Sequence, residues 1–356
     1  MRIVSVLHPL ATQLPPAADV DAGEHLIVVP RGVAGPGMVV LRQRGRAGFR
    51  LAHYAALRPV LAGADIVHLR AHPATALAYH VAHLCRPAVS GAVLIIECGH
   101  AGSQNPPPFW RMLARRVLTR ADAVVARHTN GLAALRALGF NGAGLIGGAP
   151  PHAAPLHLRQ RTGPLTLGLA ARYGTAGNGA TDVLEAVAAS PSVHLVAAAS
   201  AGYQRLADQA AALEMQDRMR FVPASNLLAE CDMLVAVPHH RGAYSLPFDT
   251  LIASAQARCM PVLCSDVAGL PEMAGAGGWV VPPGDAGAIF EVLRSLRATP
   301  ELLERAGQQA AAYGNARHLK PLSGSVLHRA MEHRAARQNA ATLPGQPGAF
   351  RRPAQP

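Results

Sequence analysis

Short apolar runs alternate with longer helix-compatible stretches along most of this 356-residue chain, and the alternation is interrupted once and then begins again. Such a rhythm is what βαβ units produce, because a parallel strand needs a crossover helix before its neighbour can run in the same direction. In the first half the pattern predicts strands at residues 2–7, 24–30, 66–69, 93–97 and 123–126, and helices at 49–62, 74–84, 110–119 and 131–138. Residues 147–163 are proline-rich and without period, so they read as an interdomain linker. Beyond them the rhythm predicts strands at 165–170, 193–198, 219–222, 233–237, 261–265 and 278–281, with helices at 179–189, 203–213, 246–258 and 285–297. The expected fold class is α/β, with two Rossmann-like doubly wound domains facing each other across a cleft. A ligand would then lie between them, at the carboxyl ends of the strands. The boundaries expected are a first domain over 1–150, a second over 151–320, a basic carboxyl-terminal helix over 321–340, and a tail over 341–356 rich in Pro, Gly, Gln and Arg and read as disordered.

Composition narrows the function classes. Hydrophobic residues make up 50% and charged residues 15%, which is enough apolar material for two cores. Lysine and arginine number 33 against 21 aspartates and glutamates, a net charge of +12 that favours phosphates, anionic lipid or nucleic acid. No arginine-rich element carries interleaved stacking aromatics, and aromatics total only 4%, so nucleic acid is not an expected partner. The cysteines Cys85, Cys98, Cys231, Cys259 and Cys264 are scattered and form no C-x-x-C pair, which indicates neither a metal cage nor a disulfide framework. They read as small core residues in a reducing compartment. No stretch has the ~18 apolar residues of a spanning helix, so a cytoplasmic location is expected. One segment, residues 109–120, combines Phe109, Trp110 and aliphatics with four arginines at helical spacing. Such a helix can lie on anionic lipid, although an ordinary amphipathic helix packing on the sheet is the favoured reading.

Two motifs carry a family resemblance. The segment Pro261-Val-Leu-Cys-Ser-Asp-Val-Ala-Gly-Leu-Pro-Glu272, followed by Gly278-Trp-Val-Val-Pro-Pro-Gly-Asp285, resembles the carboxyl-terminal domain of family-4 retaining glycosyltransferases. Cys231-Asp232-Met-Leu-Val-Ala-Val-Pro238, Ala64-Asp-Ile-Val-His68, Ala121-Asp-Ala-Val-Val125 and Leu138-Gly139-Phe140 fall in family order, so the resemblance spans roughly residues 60–315. Read without the family, Asp285 stands before an apolar periodic run, where its carboxylate can cap free helix amides.

The resemblance implies a GT-B fold, no metal and no cofactor. It implies transfer of a hexose from a nucleotide diphosphate sugar to a saccharide or lipid-linked acceptor, in surface polysaccharide or glycolipid assembly. An enzyme of this kind must stabilise the negative charge that grows on the diphosphate as the glycosidic bond breaks. Arg172 matches the family arginine that follows the first strand of the second domain. The family lysine a few residues later is replaced by Asn178, beside Gly179. The paired family glutamates fall on Leu246 and Ser254, neither of them acidic. Asp249, in the same loop, matches a family glycine and has a helix-cap explanation as well. The implied site is then Arg172, Asn178, Gly179 and the backbone amides near Phe248 and Asp249 on the diphosphate, Ser254 toward the ribose, and His100 beside the transferred sugar, with His68 and His72 as lesser candidates. The loss of both glutamates and the lysine leaves a second reading open, a catalytically inactive GT-B scaffold or regulatory subunit. The segment after the first strand, 8–16, departs from the family's glycine-rich turn and helix, and a short or missing first helix is expected there.

Overall fold

Six consecutive residues of the strand Val93–Cys98 are buried, as are all four of Ala123–Ala126 and of Met233–Ala236, which requires sheets covered on both faces. The computed structural model describes residues 2–7, 24–29, 38–40, 57–71, 73, 75–85, 91–98, 108–147, 163–170, 176–199, 202–240, 248–267, 269–317 and 324–342. Among these, the first sheet holds β1 (Arg2–Leu7), β2 (Glu24–Val29), β3 (Met38–Val40), β4 (Ile66–Arg70), β5 (Val93–Cys98), β6 (Ala123–Ala126) and β7 (Ala143–Ile146). The second holds β8 (Leu165–Leu169), β9 (Val193–Ala198), β10 (Met219–Val222), β11 (Met233–Ala236), β12 (Val262–Ser265) and β13 (Gly278–Val281). Strand orders are β3-β2-β1-β4-β5-β6-β7 and β10-β9-β8-β11-β12-β13, and the pairings are parallel throughout. Each is a doubly wound sheet, with its order reversing between β1 and β4 in the first and between β8 and β11 in the second.

The described helices are α1 (Leu57–Leu61), α2 (Ala76–Tyr79), which runs into a π-turn at His80–Leu84, α3 (Pro108–Leu118) and α4 (Thr129–Ala137) in the first half. The second half has α5 (Ala180–Ala188), α6 (Tyr203–Ala212), α7 (Phe248–Gln256), α8 (Leu270–Ala274), α9 (Ala286–Ala298), α10 (Glu301–Arg317) and α11 (Gly324–Thr342). Asp285 caps α9 as its position predicts, its Oδ1 accepting from the Ala288 amide at 2.8 Å.

Three aspartates at strand starts set the register. Asp65 accepts from the Arg2 amide at 2.7 Å, Asp122 from Leu94 at 3.0 Å, and Asp232 from Thr166 at 2.9 Å. Each aspartate precedes one strand and satisfies an amide at the beginning of the adjacent one, so a one-residue slip would break the bond. The recurring Ala-Asp and Cys-Asp pairs of the sequence are thus devices of the sheet's amino edge, remote from any ligand at the carboxyl edge.

Several elements depart from the sequence reading. Strands β3 and β7 and helix α10 are additional. The α10 residues that bury, Ala306, Gly307 and Ala310, are too small to print an apolar period. Of the expected helix at 49–62 only α1 falls within the described residues, and the segments 8–23 and 343–356 lie outside them. Helix α11 returns to the first sheet. Val326 and Ala330 are fully buried there against Ile3, Ile66, Val93, Ile95, Ala123 and Val125, and Arg334 reaches the Ala92 carbonyl.

Candidate functional site

The carboxyl edges of the two sheets meet at a junction made from both halves of the chain. The Thr129 amide, at the start of α4, donates to Glu272 Oε2 at 2.7 Å. Arg317, at the end of α10, donates to the Arg127 carbonyl at 2.8 Å and pairs with Glu272 Oε1 at 3.3 Å. Tyr313 fixes the same glutamate from behind, its hydroxyl donating to the Glu272 carbonyl at 2.6 Å. A side chain at Gly269 would run into the His128 ring, its Cβ 2.1 Å from Cγ, so only glycine lets the strand end come this close. The Gly-Leu-Pro-Glu turn that carries the resemblance is therefore an interdomain joint.

On the first sheet's side of the crevice lies a buried charge network. Glu97, 2% exposed at the end of β5, has His68 Nε2 at 3.0 Å, Arg70 Nε at 3.3 Å and the Arg127 guanidinium in direct contact. Ser5 Oγ stands 3.2 Å from the other His68 nitrogen. Parallel register creates the cluster, since Ser5 lies opposite His68, and Arg70 opposite Glu97, across β1, β4 and β5. Burial works to raise the Glu97 pKa, but Arg127, Arg70 and His68 together outweigh it and hold the carboxyl well below the usual carboxylate range. Ser5, His68 and Glu97 are in serine-triad order, yet all three are sealed from solvent, so the chain of bonds supports the edge and has no access to a substrate. The neighbouring Cys98 thiol is pushed up to about 12 by burial and by the Glu97 charge, which leaves it an inert core residue. Among the described residues no two cysteines are joined by a disulfide.

On the second sheet's side, the segments following β8 and β11 flank the point where strand order reverses. Gly179 opens α5 with φ +76°, and a Cβ there would lie 1.9 Å from the Val237 carbonyl oxygen. The glycine thus brings the amino terminus of α5 directly against the end of β11. Asn178 Oδ1 accepts from the Ala180 amide at 2.8 Å, so its carbonyl oxygen serves the start of the helix. Asp182, in the first turn of α5, would repel a diphosphate, but it is engaged by His239 Nε2. Phe248 begins α7 and is buried, and Ser254, 2% exposed, sits one and a half turns further along the same helix. Asp249 lies in the first turn of α7 by its backbone.

The structure thus brings together Asn178, Gly179 and the start of α5 at the crevice, and sets His68 inside the buried network. His72, His100, Arg172 and Leu246 lie outside the described residues. Glu97, Arg127, Glu272 and Arg317 were not singled out from sequence as site residues. A signal existed for the first, since Glu97 is a carboxylate inside an otherwise apolar strand. Among the described residues no group of three or more His, Cys, Asp or Glu is placed to hold a metal, and no helix is long and apolar enough to cross a membrane. A separate cavity of about 270 Å³, lined by Thr166, His194, Arg218, Arg220 and Asp232, opens at the amino ends of the second sheet's strands, away from the crevice.

Residues 162–313 match the sequence profile described as Glycosyl transferases group 1. This stretch is similar to a glycosyl transferases group 1 domain. It contains the whole second sheet, the Gly179 contact and the Gly-Leu-Pro-Glu joint. No curated protein sequence matches the chain. Among solved structures, sucrose-phosphate synthase from Thermosynechococcus elongatus superposes with a TM-score of 0.68 at 17% identity, over 96% of this chain and 100% of that one. Anabaena HepE in complex with UDP and glucose gives a TM-score of 0.65 at 14% identity, over 96% and 99%. The lipopolysaccharide outer core galactosyltransferase WaaB gives 0.62 at 12% identity, over 94% and 100%. The group 1 domain and the lobe before it together have the GT-B glycosyltransferase fold.

Proposed function

We propose that the chain is a glycosyltransferase that moves a hexose, with retention, from a nucleotide diphosphate sugar to a saccharide or lipid-linked acceptor in surface polysaccharide or glycolipid biosynthesis. The observation that carries this reading is the Gly179 contact with the Val237 carbonyl, which sets a helix amino terminus at the strand-order reversal of a group 1 domain. Helix amino-terminal amides there point into the crevice where a pyrophosphate gains most from them. HepE, of the same fold, has been solved with UDP and with UDP-glucose, which supports a nucleotide sugar as donor.

In this reading Arg172, Asn178, Gly179 and the amides of Phe248 and Asp249 hold the diphosphate. Arg172 supplies the charge, because a cation's hydrogen bond to phosphate is about twice as strong as the neutral one Asn178 offers. His100 lines the sugar site, and Ser254 backs the ribose wall from within α7. Neither a metal nor a cofactor takes part, so cations and amides alone offset the charge that develops on the leaving diphosphate. A lipid-linked acceptor would set a cytoplasmic enzyme at the inner face of the plasma membrane. Calorimetric titration with uridine and guanosine diphosphates, followed by donor-hydrolysis assays across nucleotide sugars, tests the reading. Binding that Arg172→Ala weakens supports it, and no binding together with no turnover removes it.

A second reading is favoured by the side chains at three family positions, Leu246, Asn178 and the buried Ser254. In it the chain is a catalytically inactive GT-B subunit of a glycosyltransferase complex. Its mark would be donor binding absent or indifferent to Arg172→Ala, with an active transferase recovered in a pulldown.

A further inference from the structure

Helix α3 turns Leu113, Ala114, Val117 and Leu118 toward the first sheet, as an amphipathic crossover helix must. Its outer side is not the polar surface that normally completes such a helix. Phe109 is 60% exposed, Trp110 36% and Met112 43%, the two rings meeting edge to face at 5.5 Å. Arg111, Arg115 and Arg116 are exposed beside them, and among the described residues none of the three pairs with a carboxylate. Residues 108–121 contain no acidic side chain.

The crossover fixes where this patch lies. Strand β5 ends at the carboxyl edge and β6 starts again at the amino edge, so α3 runs antiparallel to both. Its Pro108 end therefore stands beside the mouth of the crevice, with the aromatics at that end and Arg115 and Arg116 one turn behind.

We propose that this face of α3 docks on an anionic phospholipid bilayer, with Phe109, Trp110 and Met112 entering the headgroup boundary and Arg111, Arg115 and Arg116 engaging lipid phosphates. Exposed aromatics and a methionine next to unpaired arginines are the composition of a helix lying in a lipid interface. A second copy of this chain fits poorly, since a two-fold contact would set these arginines against their own equivalents. The chain's net charge of +12 adds long-range attraction to the same surface. Docked in this way, the crevice would open along the membrane plane.

The test is sedimentation of the purified full chain with phosphatidylcholine vesicles, with and without phosphatidylglycerol. Binding is expected only with the anionic lipid. The triple change of Arg111, Arg115 and Arg116 to Gln should weaken it about a hundredfold, from the usual contribution of a surface arginine near anionic lipid. Phe109→Ser with Trp110→Ser and Met112→Ser should weaken it as well, while Arg294→Gln on the second domain should not. All six positions on α3 are exposed, so melting curves should match the parent's. As a readout with α3 intact, Trp110 fluorescence in a Trp279→Phe background should shift to the blue on binding. Equal binding to neutral vesicles, binding with no Trp110 shift, or variants that bind like the parent would overturn the proposal. So would a dimer abolished by the serine changes in a chain that ignores vesicles. Nucleotide titration of the same variants stays unchanged if lipid docking and donor binding are separate properties, so either can fail without the other.

Discussion

Single residues at this crevice act through what they exclude or enclose. Gly179 is held at φ +76° with the Val237 carbonyl where a Cβ would go. Gly179→Ala should therefore cost at least ~1 to 2 kcal/mol for the left-handed backbone alone, and more once α5 is forced off β11. The expected result is loss of nucleotide diphosphate binding in calorimetry at a temperature where circular dichroism still reports a folded chain. Glu97 acts by enclosure. Its folded pKa is depressed, so the unfolded chain takes up the proton first as pH falls, starting near the free glutamate value of about 4.3. The network's contribution is complete above that value and is lost progressively below it. Glu97→Gln leaves two arginines facing a neutral amide in a sealed site and should lower stability at neutral pH by ~3 kcal/mol. Denaturant titrations from pH 7 to 3 should then show the variant with the shallower acid decline. A decline as steep as the parent's would mean that other carboxylates govern acid unfolding.

Elements were legible in proportion to how much large apolar surface they bury. The fully buried β6 and β11 stood out as continuous hydrophobic runs, and β5 and β8 as runs broken only by Glu97 and by Thr166 and Gly168, whereas β3 has three residues and β7 is only partly buried. Helix α10 was invisible because it packs through alanine and glycine. The loops that bear Asn178 and Gly179 could be found from a motif, since a strand followed by a glycine and a helix start is a local pattern. The Glu97 network could not, because Ser5, His68, Glu97 and Arg127 become neighbours only through parallel register between distant segments. Helix α11 was read as basic, but it is seated on the first sheet by the buried Val326 and Ala330, with Leu327 packed beside them and Arg334 reaching the Ala92 carbonyl. Val326→Asp would bury a carboxylate among isoleucines and valines, a change worth more than ~3 kcal/mol. Limited proteolysis should then cut within α11, at a protease level that leaves this helix intact in the parent.

For the whole molecule, the joint between lobes is polar among the described residues, where Thr129, Arg127, Gly269, Glu272, Tyr313 and Arg317 form it. Arg317→Ala removes donors from both the Arg127 carbonyl and Glu272, and hydrogen bonds to charged groups are worth about 1.5 to 3 kcal/mol. Hydrogen exchange should speed up at residues 127–131 and 269–273 together, with no change at the Asp65, Asp122 and Asp232 contacts that set strand register. Exchange confined to one side would mean that the two lobes are joined chiefly elsewhere.

The polypeptide passes from the first lobe to the second after β7 and comes back between α10 and α11. Two covalent crossings of this kind restrict how far the lobes can separate. Arg317 stands next to the return crossing and also grips the opposite lobe, so a turn of one lobe against the other would have to bend or break its contacts. A widening of the gap at the far side would then be read as a change at this one side chain.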